Sequence, residues 1–201
     1  MDNLIFKKII NDAKKKVFDL AKKNNFLWFY NLHQRETIKC AEKLFKIYKG
    51  ANRKIVLISC WLHDIASYHT KNDKEVLKVK LNHHIDGARI AGDFLRKYKI
   101  TKKEINEIKN CIIKHRNSPP YTPKTLEEKI VAVADTLSHF ESIFYLIYFK
   151  IHPKNSLEKM VENDLKKLSR DWRDLGLLPK SRKLVKKKFD VLKDLFNSYG
   201  K

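Results

Sequence analysis

The chain has 201 residues, of which 43% are hydrophobic and 33% are charged, and this length suits one compact domain better than two. Five Gly and five Pro are too few for a collagenous, linker-rich or many-turned all-β chain. The 44 Lys and Arg against 23 Asp and Glu give a formal net charge of +21, which favours phosphate-bearing partners, although the abundance of Lys, Ile and Asn is equally typical of a general compositional bias.

The first half of the chain has helical periodicity. Apolar residues recur every three or four positions over 4–22 and 35–48, which predicts two amphipathic helices, and Gly50 is placed to end the second. Residues 55–62 are almost entirely apolar, which predicts a helix that is buried on every side. The polar stretch 70–74 is predicted to be a loop.

The pattern stays helical further along the chain. A helix is predicted from about 83 to 98, and a Thr-Lys-Lys-Glu capping box opens another over 101–115. The proline-rich segment 118–123 is predicted to be a loop, and a long buried helix is predicted over about 126–149.

The periodicity breaks at His152-Pro153, and two amphipathic stretches follow at 157–168 and 185–196. The sequence has no alternating strand pattern of useful length, no internal repeat and no glycine-rich phosphate loop. We therefore predict one all-α domain with a helical extension. The predicted parts are an N-terminal helix packing on the core (1–27), a helical bundle (28–150) and a basic C-terminal helical extension (151–201).

The cysteines and the first residues favour a cytoplasmic location. Cys40, Cys60 and Cys111 are odd in number, far apart and each within an apolar helical pattern, which is typical of buried thiols and not of a disulfide framework. The N-terminal residues mix charge throughout, unlike a secretory signal peptide. The longest apolar stretch, 130–149, carries ionisable side chains, so we predict a buried core helix and no membrane contact.

Ionisable side chains interrupt the most apolar helices, where burial is costly unless something compensates it. His63 and Asp64 end one apolar run, His115 continues an apolar stripe, and Asp135 lies in the middle of another apolar run. Two buried carboxylates need a cation, and neither run contains Lys or Arg. Neutral His with ionised Asp is a set of ligands that suits a metal ion.

A buried histidine taken alone is more often a core residue with satisfied hydrogen bonds than a ligand. We predict that core role for His69, His84, His139 and His152. A core role explains less well a second set of residues, in which each member stands near a helix end or on a buried helix face. This ordered series is His33, His63-Asp64, His83, His115 and Asp135.

This ordered series resembles the HD superfamily of metal-dependent phosphohydrolases, which is named for the adjacent His-Asp pair. The resemblance covers about residues 28–145. The segment 56–65 is similar to the apolar helix that ends in the family's doublet, and His33 is similar to its first histidine at a helix start.

The second half of the series resembles the same family. His83 lies four residues before Gly87-Ala, as the family's next histidine does, and this spacing selects His83 over His84. His115 and Asp135 resemble the following histidine and the last aspartate. Gly87 and Ala91, one turn apart, would also let their helix pack close to a neighbour.

The resemblance implies that one divalent metal ion is bound by His33, His63, Asp64 and Asp135. Histidines at the positions of His83 and His115 hold a second ion in binuclear members and face the substrate phosphate in mononuclear ones, so one or two ions remain possible. Asp64, with two oxygens, would bridge them, and the candidate catalytic residues are Asp64, His83 and His115. The mixed ligands favour Mn, Fe, Co, Ni or Zn over Mg alone.

The implied reaction is hydrolysis of a phosphoester or phosphoanhydride, most simply of a nucleotide, by a metal-activated water. Lys114 and Arg116 flank His115 and are candidate phosphate-binding residues, with a solvated helix end as the alternative. Tyr68 and Tyr121 are candidates for an aromatic surface that stacks on a base.

Two departures from the family narrow the reaction. The branch that cleaves cyclic dinucleotides has a His-Glu pair and a Gly-Tyr-Pro signature after its fourth histidine; residues 115–123 have neither, which disfavours that substrate. Some nucleotide-cleaving branches have a carboxylate just after the doublet, whereas here only Asp73 and Glu75 are loose candidates for a general base.

Two other functions stay open. The +21 charge would suit a nucleic-acid-binding or RNA-processing HD protein that acts on a polynucleotide. Its binding residues would be Arg170, Arg173, Lys180, Arg182, Lys183 and 186–188 of the extension, although we prefer the extension as a helical cap with a solvated basic face. A metal-dependent sensor or scaffold without catalysis is the second alternative. The oligomeric state stays open.

Overall fold

The computed structural model describes residues 1–69, 79, 81–147, 151–152 and 154–199, and within these ranges it contains helices and no strand beyond an isolated bridge between Ser118 and Tyr121. The longer helices are α1 (Asn3–Lys23), α2 (Arg35–Ile47), α3 (Arg53–Leu62), α4 (His83–Leu95), α5 (Lys102–Lys114), α6 (Leu126–Ser138), α7 (Leu157–Asp174) and α8 (Arg182–Ser198). The prediction of an all-α fold is confirmed. The predicted loop 70–74 and the candidate bases Asp73 and Glu75 lie outside the described residues.

Helix α3 forms the centre of the bundle and packs against α1, α2, α5 and α6. Residues such as Ile55, Ile58 and Leu62 lie on different sides of this helix and are all fully buried. A helix that is apolar on every side has no face to present to water, which is why it lies between the other helices. The end of α3 is therefore held deep in the protein.

Local capping fixes where the helices begin. Thr101 and Thr125 each form a capping box with the glutamate three residues later, at the starts of α5 and α6. Asn52 caps α3 by accepting from the amides of Lys54 and Ile55. Gly50 follows α2 with φ 90°, a conformation that glycine adopts without strain.

The predicted helix over 126–149 is wrong in its length, because α6 ends at Ser138. The amides of residues 139–141 bond to carbonyls three residues earlier and not four, which tightens and ends the helix. A short 3₁₀ turn, Phe144–Leu146, follows. The apolar pattern continues because Phe144, Ile147 and Ile151 form a second small cluster with Trp28 and Phe29. The predicted helix from 83 similarly ends at Leu95 and not at 98.

The C-terminal extension is joined to the bundle by a common core. Helices α7 and α8 pack on each other, and α7 also packs on α6. Leu168, Leu175, Val185 and Phe196 are buried in the same apolar core as the helices of the bundle. The extension therefore covers the bundle near the end of α6.

Helix α4 approaches the end of α3 closely at Gly87. A Cβ at this position would lie 3.0 Å from the backbone oxygen of His63 and 3.5 Å from Ile112 Cγ2. At Gly92 on the same helix, a Cβ would instead meet the flexible side chain of Lys109 at 3.2 Å. The absence of a side chain at Gly87 thus brings α4 next to the end of α3.

We expect Gly87→Ala to lower the melting temperature, although Ala is normally about 1 kcal/mol better than Gly in a helix. The added methyl group meets backbone that cannot move aside, and such overpacking costs about 1–3 kcal/mol. Gly92→Ala is the matched control and should leave stability unchanged or raise it. Thermal unfolding followed by circular dichroism measures both, and equal effects of the two substitutions would contradict this account.

Candidate metal centre

Five structural elements deliver the six predicted ligands to one place. His33 lies in a single π-helical turn, Tyr30–Gln34, that leads into α2. His63 caps the C-terminus of α3 and Asp64 follows it, so the doublet lies where the backbone leaves the helix. The rest come from α4, the end of α5 and α6, as His83, His115 and Asp135. All are buried except Asp135, which is partly buried.

The first group consists of His33, His63, Asp64 and Asp135. The Nε2 atoms of the two histidines are 3.1 Å apart. Nε2 of His33 lies 3.1 Å from Asp135 Oδ1 and 3.3 Å from Asp64 Oδ2. Nε2 of His63 lies 3.6 and 3.5 Å from the same two oxygens. Two atoms that are each about 2.1 Å from one ion, at about 90–109° to each other, are separated by about 3.0–3.4 Å. The group therefore has nearly the spacing of a single coordination sphere.

The second group shares Asp64 with the first. Oδ1 of Asp64, the oxygen that does not face His33, lies 3.2 Å from His83 Nε2 and 3.9 Å from His115 Nε2. These two Nε2 atoms are 3.0 Å apart. The Asp64 carboxylate thus faces a histidine pair with each of its oxygens, which is the arrangement that a bridging carboxylate requires.

The other ring nitrogens fix the tautomers. Nδ1 of His63 lies 2.8 Å from the carbonyl oxygen of Cys60, and Nδ1 of His115 lies 2.6 Å from that of Ile112. A carbonyl oxygen only accepts, so each Nδ1 is the donor and each Nε2 carries a lone pair. Ser138 Oγ donates to the Asp135 carbonyl at 2.7 Å and so accepts from Nδ1 of His33 at 2.8 Å.

Lone pairs of His33 and His63 therefore face each other beside two carboxylates, a grouping that repels itself unless a cation lies between its members. Without a metal ion, a proton on His33 supplies the positive charge. Burial lowers the pKa of His33, but the hydrogen bonds to Asp135 and Asp64 outweigh this effect and raise the pKa to about 9. Burial and the charge of His83 lower the pKa of His115 to about 3. The donor set fits a divalent ion with mixed nitrogen and oxygen ligands.

A comparison with protein-family models matches the HD domain over residues 31–139, more than half of the chain. The chain belongs to the HD domain family. This confirms the resemblance drawn from the ordered histidines and aspartates, and it places the protein in a superfamily of metal-dependent phosphohydrolases. Neither the curated proteins nor the solved structures contain a match to the chain.

A cavity of about 610 Å³ opens beside the candidate ligands of the HD domain. Its wall includes His33, Asp64, His83, His115 and Asp135. Aromatic side chains also line it, namely Phe26, Trp28, Phe29 and Phe144. The sequence signal for this aromatic wall is the run of aromatic residues just before His33, whereas the predicted contributors Tyr68 and Tyr121 do not line the cavity.

Only one of the two predicted phosphate-binding residues lines the cavity. Arg116 lines it and donates to the carbonyl oxygen of Leu81 at 2.7 Å. The ammonium of Lys114 instead lies 2.6 Å from Glu128 Oε1, and Lys114 does not line the cavity. Lys114 is the last residue of α5, whereas Arg116 lies two positions further on, in the turn that follows the helix.

The histidines predicted to have core roles differ from one another. His69 is exposed, so the prediction of a core role is wrong for this residue. His84 is buried next to Tyr121 and His83, outside the cavity wall. His139 lines the cavity, stacks on Phe144 at 3.9 Å and places Nε2 3.7 Å from Asp135 Oδ1. It forms a further possible ligand group with His33 and Asp135.

The extension completes the wall around His139, which sequence reasoning missed. Nδ1 of His139 lies 2.9 Å from Asp171 Oδ2 and 2.8 Å from Lys167 Nζ. Lys167 also donates to Asp171 at 2.6 Å, and both are buried. Asp174 accepts from Asn117 of the segment after α5 at 2.9 Å. Helix α7 is therefore hydrogen-bonded to the HD domain at the site itself.

Among the described residues, none of the helices combines the length and the apolar character needed to cross a bilayer.

We expect the purified protein to bind a transition metal ion such as Mn, Fe, Co, Ni or Zn, and Asp64→Asn to lose all of it, because this carboxylate faces both ligand groups. His115→Ala should keep the ion of the first group. Elemental analysis after metal loading and desalting measures the content. Asp93→Asn, which removes an exposed carboxylate of α4, is the control, and full metal content in Asp64→Asn would contradict the assignment.

We expect Asp171→Asn to destabilise the protein by about 3–5 kcal/mol, because it leaves the buried ammonium of Lys167 without its counter-charge. Asp190→Asn breaks the exposed Lys186–Asp190 pair, which has the same spacing on α8, and should cost under about 1 kcal/mol. Urea unfolding of both variants tests the difference, and similar costs would show that the Lys167–Asp171 pair is not a support of the fold.

Proposed function

We propose that this HD domain protein is a metal-dependent phosphohydrolase that cleaves a phosphoester or phosphoanhydride of a nucleotide. The main support for the proposal is the position of Asp64 at the wall of a cavity of about 610 Å³. Histidines lie close to both of its carboxylate oxygens, His33 near Oδ2 and His83 near Oδ1. Ligand sites of this kind commonly have volumes of about 300–1,000 Å³.

The residues of the centre are arranged for hydrolysis at phosphorus. A divalent ion bound there would make a water molecule more acidic and offset negative charge on phosphate oxygens. The hydrogen bonds at Nδ1 of His63 and His115 keep their Nε2 lone pairs directed at the centre. Arg116, at the cavity wall, is placed to contact a phosphate oxygen.

The remainder of the cavity supports a nucleotide as the substrate class. Trp28 and Phe29 pack edge to face with 5.7 Å between ring centroids, and both line the cavity with Phe26 and Phe144. Aromatic side chains stack on nucleobases with a gain of about 1–3 kcal/mol per base. An aromatic wall beside a phosphate-binding centre fits both ends of a nucleotide.

The polynucleotide alternative has less support. Several cations of the extension that would carry such binding are engaged within the protein. Lys186 pairs with Asp190 at 2.6 Å, Lys188 pairs with Glu141, and Arg182 donates to the carbonyl of Trp172 at 3.0 Å. Pairing lowers the positive charge that these residues offer to a phosphate backbone, which favours the small-molecule proposal.

We expect the metal-loaded protein to release phosphate or a nucleotide product from a panel of nucleotides, and a chelator to abolish this activity. Asp64→Asn should reduce the activity by about 100-fold or more, since even losing the hydrogen-bond partner of a metal ligand often costs about 10–100-fold. Asp93→Asn should retain full activity. Phosphate release and chromatography of the products measure the reaction.

The comparison of metal content with activity decides the proposal. If the protein binds its metal through Asp64 but hydrolyses no nucleotide and no generic phosphodiester with any of the five metals, then the phosphohydrolase proposal is wrong. The metal-dependent sensor or scaffold then becomes the better interpretation.

A further inference from the structure

The cavity wall contains more cations than a single phosphate at the metal centre would need. Arg116 comes from the end of α5, within the part of the chain that matches the HD domain. Lys167, Arg170 and Arg173 come from α7, outside the matched range. The extension thus adds its own positive charges to the site.

Two of these three α7 cations are paired with carboxylates of the same helix. Lys167 lies 2.5 Å from Asp171 Oδ2 and is buried with it. Arg173 lies 3.1 Å from Asp174 Oδ1. These pairs support the wall, and their cations have an anionic partner before any ligand binds.

Arg170 differs from its neighbours on α7. Within the ranges that the structure describes, no residue forms a hydrogen bond or an ion pair with its guanidinium, which is exposed at the cavity. Arg116 and Arg170 come from different parts of the chain and line the same cavity, so two guanidinium groups add positive charge to it.

We propose that Arg170 and Arg116 bind a second phosphate group of the substrate, so that the preferred substrate is a nucleoside di- or triphosphate. One phosphate then lies at the metal centre and another at the two arginines. This inference rests on the proposed nucleotide phosphohydrolase function and names its substrate class.

The chemistry of the side chains supports this assignment. A guanidinium offers parallel N–H donors that match two phosphate oxygens, and it stays charged at any physiological pH. The hydrogen bond from Arg116 to the Leu81 carbonyl holds one of the two groups in place before the ligand binds. Arg170, whose charge no described residue neutralises, supplies the positive charge that a second phosphate needs.

The test compares ADP with AMP, which differ by one phosphate group. Affinities of both are measured by calorimetry on metal-loaded protein at constant salt. In the parent protein ADP should bind more tightly than AMP. Arg170→Gln should reduce this ADP-to-AMP affinity ratio by about 10- to 100-fold, as expected for the loss of charge-assisted hydrogen bonds. Arg170→Lys keeps the positive charge but loses the parallel N–H donors of the guanidinium. Its ADP-to-AMP affinity ratio should lie between that of the parent protein and that of Arg170→Gln.

Lys166→Gln is the matched control, because it removes one positive charge from an exposed position of the same helix that does not line the cavity. It should leave the affinity ratio unchanged. If Arg170→Gln also leaves the ratio unchanged, or if Lys166→Gln lowers it equally, then a second-phosphate site at Arg170 is excluded.

Hydrolysis of bis(p-nitrophenyl) phosphate by the parent protein separates this inference from the function on which it rests. This ester has one phosphorus atom and tests the metal centre alone. Hydrolysis of the ester with an unchanged affinity ratio in Arg170→Gln would overturn only the inference. A lowered ratio in a protein that hydrolyses nothing would support the arginine site and overturn the phosphohydrolase proposal.

Discussion

The close approach of His33 and His63 constrains the whole centre. Their Nε2 atoms are 3.1 Å apart, each Nδ1 is hydrogen-bonded elsewhere, and the carboxylates of Asp64 and Asp135 lie beside them. Such a group is stable in a buried position only around a cation. The fold has to bring the segment before α2, the end of α3 and the last turn of α6 to one point. Gly87 then lets α4 reach the same point.

The same requirement explains why the extension matters to the site. Helix α7 brings a buried ion pair, Lys167–Asp171, against His139, next to the candidate ligand Asp135. Charges at this depth stay together because separating them would leave one charge buried and unpaired. A segment outside the matched part of the HD domain therefore supports the candidate ligands and forms a wall of the cavity beside them. In this protein the C-terminal extension both covers the bundle and lines the cavity.

Features that depend on neighbouring residues could be predicted from the sequence. Helical periodicity gave α1, α2 and α3 to within a few residues, and capping residues such as Thr101 marked a helix start. The doublet at the end of an almost entirely apolar run indicated a ligand pair, since burial of Asp64 needs compensation wherever the helix lies. Burial and spacing along one helix are local properties, so no knowledge of the tertiary structure was necessary.

The sequence by itself determined the helical class and the buried doublet, because these follow from periodicity, capping and the cost of burying charge. The full series of ligand candidates rested on the resemblance to the HD superfamily. Only the tertiary structure decided that α6 stops at Ser138, that Arg116 and not Lys114 lines the cavity, and that His139 joins the site. His139 contacts Asp171, which lies 32 positions further along the chain, and a contact between residues so far apart in sequence cannot be recognised from the local sequence pattern. The rotation of each helix about its axis, and the packing of α7 on α6, select which polar side chains share a cavity.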